Sequence, residues 1–183
     1  MTAAAIVAIV GAESTGKSVL AQGLAEHLSH RYGLRCTAVD EWLRLWVARE
    51  GRTPQPQEQA AIAWEQSRRI QAAAQGHDVV IADTTALMTA VYSETLFQDR
   101  SLRAAAQQAH QGYALTLVTA NDLAWQADGL QRDGPQVREP VRRLIVALLE
   151  DARLPYAEVQ GFGPERLLGA ARAVAHHLRL TPR

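Results

Sequence analysis

Residues 11–18 read Gly11-Ala-Glu-Ser-Thr-Gly16-Lys17-Ser18, and what stands on either side of them makes the stretch legible. Upstream, residues 3–10 form a short, continuous apolar run without alternation, the signature of a parallel strand covered on both faces. Downstream, Val19, Leu20, Gly23, Leu24, His27 and Leu28 recur at three- and four-residue spacing until Gly33, which predicts a helix and its stop. A glycine-framed loop between a buried strand and a helix turns its backbone amides inward on a polyphosphate, and the helix adds its positive end. In that arrangement Gly11, Glu13, Ser14, Thr15, Gly16 and Val19 form the ATP-binding loop. Lys17 reaches the β- and γ-phosphates, and the Ser18 hydroxyl ligates Mg²⁺.

Working outward, further strands are predicted at 35–40, 78–83, 113–118 and 156–160. Helices are predicted at 41–50, 57–74, 86–98, 100–111, 136–152 and 164–178, with Pro54 and Pro56 separating the first two. Strands alternating with helices predict an α/β fold: a P-loop NTPase-like three-layer sandwich around a central, mostly parallel five-stranded sheet. Residues 121–135 are polar and rich in turn formers, so a mobile lid is expected over about 121–138.

The bulk numbers narrow the classes. A length of 183 residues suits one domain covering 1–183. Nineteen basic side chains balance nineteen acidic ones, which argues against a nucleic-acid or membrane partner and requires any anionic ligand to be held locally. The single cysteine, Cys36, excludes an intrachain disulfide and predicts a reducing, cytoplasmic setting. The apolar N-terminus has no basic flank and runs straight into the loop, so it is read as a strand. Whether the chain self-associates as a homo-oligomer stays open.

Acidic groups fall where strands end. Asp83 closes the third strand at the carboxyl edge of the sheet, where a phosphate-binding fold places its metal carboxylate; capping a following helix is the alternative. Asp40 and Glu41 close the second strand, where a carboxylate can take the proton of an acceptor hydroxyl attacking the γ-phosphate, with Arg44 one turn on. The base is assigned to Glu41, with Asp40 and Asp83 as alternatives. Phosphoryl transfer also calls for a cation beyond Lys17, and Arg132 and Arg138 stand nearest the lid, ahead of Arg142 and Arg143. Trp42 and Trp125 are read as rings able to stack on a flat heterocycle, whereas Trp46 and Trp64 are expected in the core.

These pieces together resemble the ribosylnicotinamide kinase domain of NadR-type proteins, a branch of the P-loop kinase-like ATPases. The matching segments are Gly11 to Leu20, Glu41-Trp-Leu-Arg44 with Arg49-Glu50, Ile81-Ala-Asp-Thr84 and Asp122-Leu-Ala-Trp-Gln-Ala-Asp-Gly-Leu130. The resemblance implies transfer of the γ-phosphate of ATP to the 5′-hydroxyl of nicotinamide riboside, with Glu41, Asp83 and Trp125 lining the nucleoside site and Asp128 in the distinctive Trp125-x-x-Asp128-Gly129-Leu130 segment. Such domains usually carry arginine directly after Asp-Gly-Leu, whereas this chain has Gln131 and then Arg132. Two rival uses of the same loop are a kinase for another nucleoside or small alcohol, and a regulatory module in which nucleotide orders residues 121–135.

Overall fold

The computed structural model describes residues 3–126 and 134–182. Five strands, β1 (Ala5–Val10), β2 (Cys36–Val39), β3 (Val79–Asp83), β4 (Leu115–Thr119) and β5 (Tyr156–Val159), form one sheet in the order β2-β3-β1-β4-β5. Every pairing is parallel. The connections hold the helices α1 (Lys17–Tyr32), α2 (Trp42–Glu50), α3 (Gln59–Ala74), α4 (Ala86–Phe97), α5 (Arg103–His110), α6 (Arg138–Asp151) and α7 (Gly163–Leu178). The expected helix at 100–111 starts later, at Arg103, because Asp99 Oδ1 accepts the Ser101 backbone N–H at 2.8 Å and turns the chain first.

Period-two alternation of side chains sorts the buried strands between two faces. Val7 and Ile9 of β1, with Ile81 of β3 and Leu117 of β4, pack against Leu24 and Leu28 of α1 and Val174 of α7. On the opposite face Ile6, Ala8 and Val80 meet Ile70 of α3, while Val10 and Val118 meet α4 and α6 through Leu87, Val141 and Ile145. The result is the three-layer α/β sandwich predicted above.

Since β1 lies between β3 and β4, the chain turns to one side of it for β2 and β3 and to the other for β4 and β5. A crevice therefore opens at the carboxyl ends of β1, β3 and β4, the place where open parallel sheets bind ligands. Among the described residues, no helix is long and apolar enough to cross a membrane.

Candidate functional site

The loop of residues 11–16 joins β1 to α1 with alternating handedness. Ser14 (φ 54°) and Gly16 (φ 75°) are left-handed, the latter capping α1. Such alternation curls successive amides toward one point and makes an anion-binding concavity. Gly11 meets a second demand, close approach: a Cβ there would lie 1.9 Å from Thr119 Oγ1. That hydroxyl lies within hydrogen-bond distance of the Thr15 hydroxyl (2.7 Å) and of the Val10 carbonyl oxygen (3.2 Å). Lys17 Nζ donates to the Ala12 carbonyl oxygen at 2.8 Å, inside the loop.

The loop is also held from behind. Arg166 of α7 is buried and donates from Nη2 to the Thr15 carbonyl oxygen (2.9 Å) and from Nη1 to Asp122 Oδ1 (2.8 Å) and the Gly161 carbonyl oxygen (2.9 Å). Asp122 in turn accepts the Gly161 N–H at 2.6 Å. Arginine is suited to this position because its planar fork satisfies several acceptors at once. Sequence reasoning missed Arg166, since 151 positions separate it from Thr15.

Asp83 ends β3 beside the loop, its register partner being Ile9 of β1. It is 2 % exposed, and burial pushes its carboxyl above the ordinary aspartate range, against a hydrogen bond from Ser18 and the charges of Lys17 and Arg44. The capping alternative goes to Thr85, whose Oγ1 accepts the Leu87 N–H at 3.2 Å as the N-cap of α4. Asp83 Oδ1 is buried with no hydrogen-bond partner among the described residues. A buried carboxylate oxygen left over beside a serine hydroxyl at a phosphate loop fits Mg²⁺, which is held through one or two protein oxygens plus phosphates. Between Asp83 and Thr85, Thr84 sits at φ 65°, an unfavourable conformation for a β-branched residue.

The two carboxylates that close β2 part company. Glu41 lines the cavity described below, does not cap α2 with its side chain, and has Arg44 Nε 4.0 Å from its Oε2. Asp40 is exposed, accepts Gln22 Nε2 at 2.9 Å, and is not among the lining residues. The difference follows from one residue of chain: as the strand ends, successive side chains leave on opposite sides.

A single cavity of about 1060 Å³ joins these groups to a second compartment. Residues 13–19 form one end, and Leu123, Ala124, Gln126 and Phe162 border it. The other compartment is walled by Glu41, Leu43 and Arg44 of α2, by Gln59, Ile62 and Gln66 of α3, and by Met88, Thr89, Tyr92 and Leu96 of α4. The glutamines carried no motif and were not expected. Gln66 Oε1 accepts the Trp42 N–H at 2.6 Å, and its Nε2 lies 3.4 Å from the carbonyl oxygens of both Asp40 and Thr84. It thus ties the carboxyl ends of β2 and β3 together.

The tryptophans correct the expectations. Trp42 does not line the cavity: Arg69 lies over its ring at 4.0 Å, with Arg49 at 5.7 Å, so guanidinium groups occupy the stacking surface intended for a heterocycle. Trp46 is buried as expected, but Trp64 is 65 % exposed rather than in the core. On α3 the buried residues are Gln59, Ile62, Gln66 and Ile70, a stripe at helical spacing from which position 64 points away. Trp125 is half-buried beside lining residues without itself being one, and its Nε1 is buried with no partner among the described residues.

Arg138, expected as a cation over the γ-phosphate, is buried at the start of α6. Its Nη1 donates to the Leu123 carbonyl oxygen at 2.9 Å, while Nε and Nη2 have no partner among the described residues. Leu123 lies against Gly16, where a Cβ would come within 3.0 Å of its Cδ1. Arg138 therefore supports the segment that covers the phosphate loop. Ser14 extends that cover, donating to the Gln126 carbonyl oxygen at 2.8 Å. Arg142 pairs with Glu158 and Arg143 with Glu139, both away from the cavity. Asp128 and Arg132 lie outside the described residues.

Comparison with known proteins agrees with this geometry. A family model described as an AAA domain matches residues 6–166. No match was found among curated proteins. Among solved structures the chain is similar to that of a NadR protein in complex with NR, with a TM-score of 0.79 at 17 % identity over 98 % of this chain and 53 % of that one. It is likewise similar to a NadR protein in complex with NAD and AMP-PNP, with a TM-score of 0.76 at 16 % identity over 97 % of this chain and 50 % of that one. The chain thus spans about half the length of these structures, and at such identity the likeness shows a shared fold.

Proposed function

The chain belongs to the AAA domain family, and we propose that within it this protein works as an ATP-dependent kinase that phosphorylates the 5′-hydroxyl of nicotinamide riboside to give nicotinamide mononucleotide. The observation that carries this reading is the continuity of the cavity, in which one space of about 1060 Å³ is shared by the phosphate loop, a carboxylate and a largely apolar wall. A module built only to bind nucleotide has no use for the second compartment. Leu43, Ile62, Met88, Tyr92 and Leu96 suit a flat ring, and Glu41 stands between that wall and the loop.

In this reading the loop amides and Lys17 hold the β- and γ-phosphates and neutralise charge as it moves toward the bridging oxygen. Ser18 and Asp83 would hold Mg²⁺, which would supply positive charge to offset that of the phosphates. Glu41 accepts the hydroxyl proton as the acceptor oxygen bonds to the γ-phosphorus, and the bond from that phosphorus to the β,γ-bridging oxygen breaks to release ADP. Arg44 balances the charge on Glu41 until the proton arrives. Arg166 positions the loop without touching substrate.

The test is ADP release from Mg-ATP by purified protein, with and without nicotinamide riboside and a panel of other nucleosides. Acceleration by nicotinamide riboside above the rest is expected, lost in Lys17→Ala and reduced at least about a hundredfold in Glu41→Gln. Equal rates with and without every acceptor would overturn the kinase reading, and acceleration by a different nucleoside would replace the acceptor.

A further inference from the structure

Gln66 is 3 % exposed and stands on the buried stripe of α3, one turn from Ile62 and one from Ile70, where an aliphatic side chain is the ordinary occupant. A carboxamide buried there loses its hydration and is tolerated only where the protein replaces the lost bonds. Here Oε1 accepts the Trp42 N–H at 2.6 Å, and the two N–H groups of Nε2 donate to the carbonyl oxygens of Asp40 and Thr84, each at 3.4 Å. Gln66 also lines the cavity. With both donors engaged inside the protein, its carboxamide shapes the site rather than donating to a ligand.

The choice of partners is informative. Asp40 and Trp42 flank Glu41, whose backbone is extended (φ −62°, ψ 114°), so one carboxamide grips the chain on either side of that residue. The Trp42 N–H is one of the donors that the first turn of a helix leaves without an intrahelical partner. An N-cap residue ordinarily turns its own side chain back on that turn, but Glu41 makes no such bond and lines the cavity. Gln66 thus supplies from α3 an acceptor that the start of α2 needs, and the Glu41 carboxylate keeps its place on the cavity wall.

The third bond ties this grip to the sheet. Thr84 is left-handed at φ 65°, its N–H donates to the Ile9 carbonyl oxygen at 3.0 Å, and its own carbonyl oxygen accepts from Gln66. A β-branched residue persists in that conformation only where its surroundings over-determine it. Ile9 belongs to β1, the strand that leads into the phosphate loop, so hydrogen bonds run without a break from the backbone around Glu41 to the root of that loop.

We propose that Gln66 is a positioning residue for phosphoryl transfer, holding Glu41 at a fixed place relative to the phosphate loop. This rests on the kinase reading above and deepens it. A proton acceptor is useful only within hydrogen-bond reach of the hydroxyl it serves, and a small displacement of its backbone is enough to lose that reach.

The deciding experiment measures steady-state kinetics and ATP binding for the wild type, Gln66→Met, Glu41→Gln and the double variant, with urea unfolding of each. Gln66→Met, close in volume to the native residue, should lower kcat at least about tenfold while the affinity for ATP is unchanged. In the Glu41→Gln background the same substitution should cost less than about twofold in the remaining rate, because the group it positions is gone. Its effect on stability should be alike in both backgrounds. A residue that merely packs would lower the rate by the same factor with and without Glu41, and that result, or an unchanged kcat in a folded Gln66→Met, would overturn the positioning role while leaving the kinase reading intact. If the wild type transfers phosphate to no acceptor, the kinase reading falls and this inference with it. Gln66→Asn, which keeps the carboxamide but shortens its reach by one methylene, should show the same pattern and answers the question should Gln66→Met fail to fold.

Discussion

Arg166 Nη2 donates to the carbonyl oxygen of Thr15 at 2.9 Å, so the last helix grips the middle of the phosphate loop from behind. The same guanidinium holds Asp122, which begins the segment that covers the loop from above. One buried cation thereby sets the relative position of two walls of the nucleotide site.

Arg166→Ala should therefore act on stability and nucleotide affinity together. Removing the cation strands the Asp122 carboxylate and two backbone carbonyls, a loss expected at about 2–4 kcal/mol. Binding of ATP should weaken about tenfold, and Arg166→Lys should recover only part because an ammonium cannot bridge acceptors in the same plane. Denaturant unfolding and nucleotide titration of both variants check this, and unchanged ATP affinity in a folded Arg166→Ala would show the grip to be incidental.

Gly11→Ala should clash with Thr119. A Cβ at 1.9 Å from Thr119 Oγ1 forces that hydroxyl off the Val10 carbonyl and the Thr15 side chain, at an expected cost of about 1–3 kcal/mol. The double variant Gly11→Ala/Thr119→Ala removes the obstacle and should lose less than the sum of the single losses. Additive losses in unfolding experiments would place the strain elsewhere.

His110 gives a pH dependence with a defined sign. It is 2 % exposed, its Nε2 lies 2.6 Å from Thr116 Oγ1 and its Nδ1 3.4 Å from Thr85 Oγ1, and burial lowers its pKa from 6.5 to about 4. Between those values the unfolded chain takes up a proton that the folded chain refuses, so stability falls as pH drops from 6.5 toward 4. Over the whole window the loss from this group is about 3 kcal/mol. Urea titrations across that range should show the decline, and His110→Gln should flatten it; an equal slope in the variant would assign the effect to other groups.

The two helical tryptophans should behave oppositely. Trp64→Ser, at an exposed position, is expected to change stability by no more than about 0.5 kcal/mol. Trp46→Ala removes a ring that is 8 % exposed and packed with Val47 and Ile62, and should cost about 3–5 kcal/mol. Comparable losses in the two variants would contradict the orientation of α3.

Much of this molecule is legible from its sequence because the signals are local. The order of strands and helices, the loop of residues 11–18, and the placing of Asp83 and Glu41 at strand ends all follow from apolar runs, glycines and acidic punctuation within a few positions of one another. Even the later start of α5 is a local matter, an aspartate turn that the periodicity of its neighbours obscured.

What the tertiary structure alone decided is which of those groups share a space. Strand order brings Arg166 to Thr15 and Thr119 to Gly11, contacts across more than a hundred positions that leave no mark on local pattern. Helix phase puts Gln59 and Gln66 on the cavity wall and Trp64 in solvent, although alanine-rich α3 offers little contrast between its faces. Trp42 and Asp40 sit beside the right residues in sequence and face other partners, because one step along a strand end or a helix turns a side chain to a different side. Residues 11–18 thus announced a phosphate site on their own, whereas the cavity that extends beyond it is walled by side chains that only the packing of α2, α3 and α4 brings together.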